Sequence, residues 1–212
     1  MLITAGPTQE PIDPVRYISN HSSGKMGYEL AMYLAQENAE VILISGPTNL
    51  SISHPNIINI DVITAEQMYQ ACHAHFMDVD IAILAAAVAD YTPKVVANQK
   101  IKKNDSALSI ELVKTKDILK SLGHIKSSNQ CLVGFALETN NEIENARKKL
   151  KTKNCDFIVL NSLADKNAGF GHSTNKITII DKDGTQSNFE LKSKHEVAAD
   201  ICNYLNRFIS VS

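Results

Sequence analysis

The chain predicts an α/β protein of the Rossmann-like, doubly wound kind, with a mostly parallel sheet flanked by helices and closed by a C-terminal β-hairpin. Short apolar runs alternate with segments of helical period through most of its length. The runs are continuously apolar rather than alternating, as expected of strands covered on both faces. Near the C-terminus two further runs, at 176–180 and 186–191, flank Asp181-Lys182-Asp183-Gly184, a turn-forming sequence.

In chain order, strands are expected near Leu2 to Ala5, Glu40 to Ser45, Ile57 to Val62, Asp80 to Ala86, Leu132 to Ala136 and Phe157 to Asn161. The first long helix, Gly24 to Ala39, carries Met26, Leu30, Ala31, Leu34 and Ala35 on one face. A second opens at the capping residue Thr64, a third runs from Asn140 to Lys153 and is basic at its end, and a closing helix spans Lys194 to Ile209. Two stretches break the alternation. From Val88 to Val113 the chain is polar and lysine-rich, with a possible strand only at Leu108 to Val113, which suggests a lid or other functional loop. Asp165 to Asn175 is glycine-containing and irregular. With 212 residues and no linker or repeat, one domain over 1–212 is expected.

The formal net charge of -2 argues against a nucleic-acid partner, and the lack of any long apolar run argues against a membrane span. Strand residues start at once, with no room for a leader, so a cytoplasmic protein is expected. The four cysteines are far apart and sit in apolar surroundings, which reads as buried, reduced thiols. None of the seven histidines lies at metal-ligand spacing from a suitable partner, so no metal ligand is assigned.

The candidate site residues gather after strand ends. Gly6-Pro7-Thr8 follows the first strand, and Ser22-Ser23-Gly24 precedes the first long helix, where free backbone N–H groups attract phosphate. The alternative is that the glycines only let the chain turn while the serines cap the helix. The Walker A pattern fails, because Ser19 stands where its first glycine belongs and Met26 follows Gly24-Lys25. GxGxxG is absent as well. Between these landmarks a proline-stiffened loop bears Glu10, Asp13, Arg16 and Asn20; Arg16 could pair with a phosphate or carboxylate, and Asn20 could hydrogen-bond a polar intermediate. Small residues at Ala85 and Ala86 permit close ligand approach, and Asp90 just beyond could accept ribose hydroxyls or hold a metal through water. Lys100, in Lys100-Ile101-Lys102-Lys103, could close over a triphosphate.

Taken in order, these segments, with Val133 to Thr139 and Ala146 to Lys149 running on to Lys153, resemble phosphopantothenoylcysteine synthetase, over residues 5 to about 161. The resemblance implies a stand-alone synthetase half that joins 4'-phosphopantothenate to L-cysteine in coenzyme A synthesis, with CTP and Mg2+, no flavin, and a homodimer. Carried over, Asn20 and Lys100 take catalytic roles beside Arg16. Asp90, Phe135, Lys149 and Lys153 line the nucleotide site, together with the segment Lys116, Asp117, Ile118 and Leu119. Lys116 stands where the family usually has proline, and Leu137 where alanine is common. The rival reading is a nucleotide-dependent oxidoreductase on a Rossmann-like sheet.

Overall fold

A computed structural model describes residues 1–103, 107–138, 140–162 and 173–211, with side chains to 207. In chain order the elements are β1 (Leu2–Ala5), β2 (Gln9–Pro11), β3 (Tyr17–Ser19), α1 (Lys25–Gln36), β4 (Val41–Ser45), β5 (Ile57–Asp61), α2 (Ala65–Phe76), β6 (Ile81–Leu84) and β7 (Tyr91–Pro93). Then follow β8 (Leu112–Lys114), α3 (Ile118–Ile125), β9 (Cys131–Glu138), α4 (Glu142–Thr152), β10 (Phe157–Ser162), β11 (Thr174–Asn175), β12 (Ile177–Asp181), β13 (Gln186–Asn188), β14 (Lys192–Ser193) and α5 (Lys194–Val211).

The main sheet has eight strands in the order β13-β12-β10-β9-β6-β1-β4-β5. From β5 to β10 every pairing is parallel, while β12 and β13 extend the sheet antiparallel. The expected doubly wound sheet with a C-terminal hairpin is therefore present. Alternate residues of each strand face opposite helical layers. Ile3 and Leu43 pack with α1 and α5 in one buried cluster, and Leu2 and Ile44 pack with α2, α3 and α4 in the other. Leu30 of α1 is fully buried, a contribution of about 1.5–3 kcal/mol from its side chain alone. Gly27 lets α1 approach this closely, since a Cβ there would lie 2.6 Å from that of Ala5.

Local signals account for several boundaries. Thr64 accepts the amide of Gln67 while Gln67 Oε1 accepts that of Thr64, so α2 begins in a reciprocal cap. In the β12–β13 turn, Asp181 Oδ1 accepts the amides of Asp183 and Thr185, and Gly184 takes φ 89°.

The departures are local. The strand expected at Asp80 to Ala86 is β6, Ile81–Leu84; Ala85 and Ala86 leave the ladder because their segment is bound to the loop after β1. The possible strand at Leu108 to Val113 becomes β8, paired with β7 outside the main sheet. The expected irregular stretch 165–175 falls mostly outside the described residues. No described helix is long and apolar enough to cross a membrane.

All four cysteines are buried and unpaired with one another, as expected. Burial pushes each thiol up to about 12. Folded protein at pH 8 should therefore show almost no reaction with a chromogenic disulfide reagent, and four thiols should react once denaturant is added. Rapid modification of any cysteine before unfolding would contradict this burial.

Candidate active site

The sheet order reverses direction at β1: the chain runs outward from β1 through β4 to β5, then returns to place β6 on the other side of β1. In such sheets the crevice beyond the carboxyl ends of the two diverging strands is open, because the connections leave to opposite faces. Here the loops following β1 and β6 meet in that crevice and are zipped together. The Ala87 amide donates to Gly6 O at 2.9 Å, and that of Thr8 to Ala87 O at 3.3 Å. Side chains extend the zipper: Thr4 Oγ1 accepts the Ala86 amide at 3.1 Å and Thr8 Oγ1 that of Ala89 at 3.0 Å.

Two connected clefts open on this seam. One, of about 500 Å³, is lined in part by Asp90, Lys116, Asp117, Phe135, Lys149 and Lys153. The other, of about 340 Å³, lies between the start of α1 and the end of β10, with Asn20, Ser22, Ser23, Gly24, Lys25 and Lys194 in its wall. They share Ala86, Val88, Asp90, Phe135 and Lys149.

The second cleft contains the N-terminus of α1. Gly24 caps it at φ 79°, and no side chain accepts from the first amides of the helix. Ser22 Oγ accepts only the Gly24 amide, at 3.2 Å. Gly24 packs against Gly6, which also has positive φ, and a Cβ on Gly24 would meet Gly6 Cα at 3.2 Å and the Thr48 methyl at 2.7 Å. Two glycines in contact thus hold the turn against the β1 loop. The uncapped amides are disposed to receive an anion, which favours the cradle over serine capping of the helix.

Asn20 is exposed in the same cleft. Its Nδ2 donates to Ala87 O at 2.9 Å and Val88 O at 3.3 Å, so both protons face the β6 loop and Oδ1 is left without a hydrogen bond among the described residues.

Lys149 stands at the junction. Its Nζ donates to Phe135 O at 2.6 Å, and burial pushes its ammonium below the ordinary lysine range, partly offset by the fields of Cys155, Glu138 and Asp117. In the wall of the first cleft Asp117 caps α3 by accepting the Lys120 amide at 2.9 Å and is ion-paired with Lys153. Burial would raise the Asp117 carboxyl, but the Lys153 hydrogen bond, the Lys120 amide and the charges of Lys153 and Lys149 together hold it below its usual value. Ile118 and Leu119 begin α3 in the cleft wall, with Ile118 buried. Lys116 reaches away, to Glu66 Oε1 at 2.7 Å, with its Nζ 4.6 Å from the Tyr69 ring centre. Asp90 is exposed at the seam, and its carboxylate has no hydrogen bond among the described residues.

Two catalytic expectations sit differently. Arg16 lines neither cleft; its Nε and Nη2 donate to Asp13 Oδ2 at 3.0 and 2.5 Å, and Nη2 also donates to Ile101 O at 3.1 Å. The guanidinium is thus held by Asp13 and Ile101, with 42% of the side chain exposed. Lys100 is exposed and likewise lines neither cleft. The two acids of the proline loop are also taken up internally, Asp13 by Arg16 and Glu10 by the Ala65 amide at the start of α2. Residues not singled out from sequence but present in the walls include Lys25, Thr115, Asn161, Asn175 and Lys194. Lys194 is buried, and burial lowers its ammonium.

Fold and crevice together define a doubly wound α/β domain with its cleft at the switch point of the sheet. Residues 1–208 match the family described as the DNA/pantothenate metabolism flavoprotein C-terminal domain, and the chain belongs to that family. A protein named cysteine/cysteine sulfinic acid decarboxylase, from an unknown prokaryotic organism, is 57% identical over 95% of this chain and 56% of its own length. The coenzyme A biosynthesis bifunctional protein CoaBC of Bacillus subtilis (strain 168) is 48% identical over 95% of this chain and 49% of its own. The chain thus spans about half the length of the curated relatives it matches. A crystal structure of the C-terminal domain of a CoaBC protein superposes with a TM-score of 0.84 at 43% identity, covering 100% of this chain and 95% of that one.

The lowered ammonium of Lys149 sets the sign of a pH effect. The folded state favours its neutral form, so stability increases as pH rises from the folded value toward the unfolded one, about 10.4. A polyphosphate in the cleft needs the charged form and should therefore weaken at a lower pH than an ordinary lysine would dictate. Lys149→Met should reduce triphosphate affinity about 10-fold or more at pH 7.5, remove this pH dependence and leave the unliganded protein no less stable. Calorimetric titration from pH 7 to 10 checks it; unchanged affinity in the variant would remove Lys149 from the site.

Proposed function

We propose that the chain is a phosphopantothenate–cysteine ligase acting in coenzyme A biosynthesis, with CTP as the activating nucleotide. The observation that carries this reading is the meeting of two clefts at Lys149, Asp90 and Phe135. Ligation through an acyl-nucleotide needs a nucleotide and a carboxylate brought end to end, and the family includes proteins named for coenzyme A biosynthesis.

In this reading the first cleft takes the nucleotide. Lys149 and Lys153 face its phosphates, while the segment Lys116 to Leu119 and the backbone at Ala86, which lines both clefts, face its ribose and base; Ala85 lies next to it on the side of the second cleft. The second cleft takes 4'-phosphopantothenate, with its phosphate toward Ser22-Ser23-Gly24 and the open amides of α1, and its carboxylate toward the junction. Attack of that carboxylate on the α-phosphate expels pyrophosphate and forms an acyl-cytidylate. The amine of L-cysteine then attacks the acyl carbon, losing a proton as CMP leaves. Asn20, fixed by its two bonds to the β6 loop, presents Oδ1 in the second cleft, where it can hold the incoming amine.

Magnesium fits the donor set. Asp90 offers a carboxylate not committed elsewhere among the described residues, and magnesium is ordinarily held by one or two carboxylates plus phosphate oxygens and water. When bound it would offset charge on the triphosphate; Asp90 is the residue proposed to hold it, and a ribose contact is the other role open to that side chain.

A homodimer belongs to the same proposal. The β2–β3 and β7–β8 hairpins present Val15, Tyr17, Tyr91, Val95, Val96 and Leu112 to solvent, an unusual concentration of exposed apolar side chains. Sedimentation should give twice the chain mass, and Tyr17→Glu with Val95→Glu should shift it toward the single chain. A monomeric wild type at micromolar concentration would contradict the dimer.

The decisive assay combines CTP, Mg2+, 4'-phosphopantothenate and L-cysteine, omitting one component at a time. Pyrophosphate should appear without cysteine, and CMP and the amide only with it. Carbon dioxide from cysteine without CTP, or binding of NAD(P)H in place of CTP, would overturn the reading. Asn20→Asp puts a carboxylate against two carbonyl oxygens, so it should bind CTP normally but slow amide formation about 100-fold while the acyl-nucleotide accumulates. Normal turnover in that variant would remove Asn20 from the second step.

A further inference from the structure

Residues 94 to 101, which follow β7, are held by hydrogen bonds along their length. Lys94 donates its amide to Glu111 O at 2.9 Å, which continues the β7–β8 pairing. Further along, the Ala97 amide donates to Ile12 O at 3.0 Å. Four residues later both polar groups of the Ile101 backbone are taken: its N–H donates to Asp13 Oδ2 at 3.1 Å and its carbonyl accepts from Arg16 Nη2 at 3.1 Å. Residues 97 to 101 therefore form a strap fastened at both ends to the β2–β3 hairpin, and Lys100 lies inside the strap.

Asp13 is the centre of this fastening. Its side chain is completely buried and accepts the amides of Val15 and Arg16 at 2.9 Å each, in addition to Arg16 Nε, Arg16 Nη2 and the Ile101 amide. A carboxylate with that many donors keeps its charge; the Arg16 guanidinium and then the surrounding amides hold it well below the usual range, against the opposing effect of burial. With the folded value depressed, its contribution to stability is complete above the ordinary carboxylate value and is lost only as pH falls toward the folded one. The fastening is thus constant across any physiological pH. The hairpin that holds the strap also leads, through β3 and Ser19, into Asn20. Ser19 Oγ donates to Thr8 O at 2.8 Å, so the hairpin is itself tied to the loop after β1.

We propose that Asp13 is a positioning residue for Lys100, acting through Arg16 and the Ile101 backbone to fix the strap on the hairpin that delivers Asn20 to the crevice. The proposal rests on the ligase reading, with Lys100 taken as the lysine that closes over the triphosphate during activation. Arg16 is then a fastener whose loss would disturb catalysis without touching substrate. Lys100 then reaches the triphosphate by movement of its own side chain, from a strap whose ends stay on the hairpin. Asn20 is independently secured by Ala87 and Val88, so loosening the strap should affect activation and spare amide formation.

The test uses Asp13→Ala, with Asp13→Asn as a volume-preserving second variant, in the full chain. Pyrophosphate release without cysteine should fall about 10- to 100-fold in Asp13→Ala, the scale expected for a misplaced catalytic group. CTP affinity and the rate at which supplied acyl-cytidylate reacts with cysteine should stay within about twofold. Lys100→Gln should itself slow activation, and adding Asp13→Ala to it should produce no further loss, because both changes remove the same interaction. Hydrogen exchange should show the Ile101 amide protected in wild type and exposed in both variants. Equal loss in both half-reactions, additive loss with Lys100→Gln, or a protected Ile101 amide in Asp13→Asn would overturn the proposal. If the wild type releases no pyrophosphate at all, the ligase reading fails, and exchange at Ile101 alone then decides whether Asp13 is the fastener.

Discussion

The site depends on the hydrogen-bonded seam between the loops that follow β1 and β6. A doubly wound sheet makes a crevice there for topological reasons, but a crevice is only a gap until its walls are held. Four contacts hold them: Gly6 with Ala87, Ala87 with Thr8, and the hydroxyls of Thr4 and Thr8 with the amides of Ala86 and Ala89. The seam consumes the polar groups that would otherwise be left unpaired where the strands end. Small residues at 85–87 keep side chains out of the opening, and contact between Gly6 and Gly24 brings the start of α1 to its rim.

Charge is arranged on that frame by degree of desolvation. Lys149, drawn into the wall by the Phe135 carbonyl, carries an ammonium that the fold disfavours and an anion would restore. Lys153 is instead neutralised in place by Asp117, the residue that also starts α3. One lysine is thus available to a ligand and the other must first exchange partners. The same logic separates the acids of the first loop from Asp90. Asp13 is buried among several donors and Glu10 is buried against the Ala65 amide, whereas Asp90 is exposed with its oxygens uncommitted among the described residues.

Much of this was legible before any coordinates. The parallel strands are read from continuous apolar runs because both faces are covered, and α1 from a stripe whose members Leu30, Ala31 and Leu34 are all buried. The seam residues were singled out because small side chains and glycines at strand ends have few other uses. The hairpin β2–β3 was not legible, since Pro11 and Pro14 read as a stiff loop and its pairing leaves no apolar alternation. Helix α3 is short, and its only local signal is Asp117 as a cap before Ile118, Leu119 and Leu122, in a segment the resemblance marks only for nucleotide contact. Arg16 and Lys100 show the limit most clearly. An arginine three residues after an aspartate can serve a ligand or its neighbour, and its second partner, the Ile101 carbonyl 85 residues away, is a tertiary contact that no local pattern announces.

The central claim is that the seam between β1 and β6 is where a nucleoside triphosphate binds. Amide hydrogen exchange measured with and without magnesium and CTP tests it most directly, since it needs no turnover. Slowed exchange concentrated at residues 22–27, 85–90 and 116–119 is the predicted result; unchanged exchange there at saturating nucleotide, or slowing confined to the far cleft between Arg147 and Lys182, would contradict it.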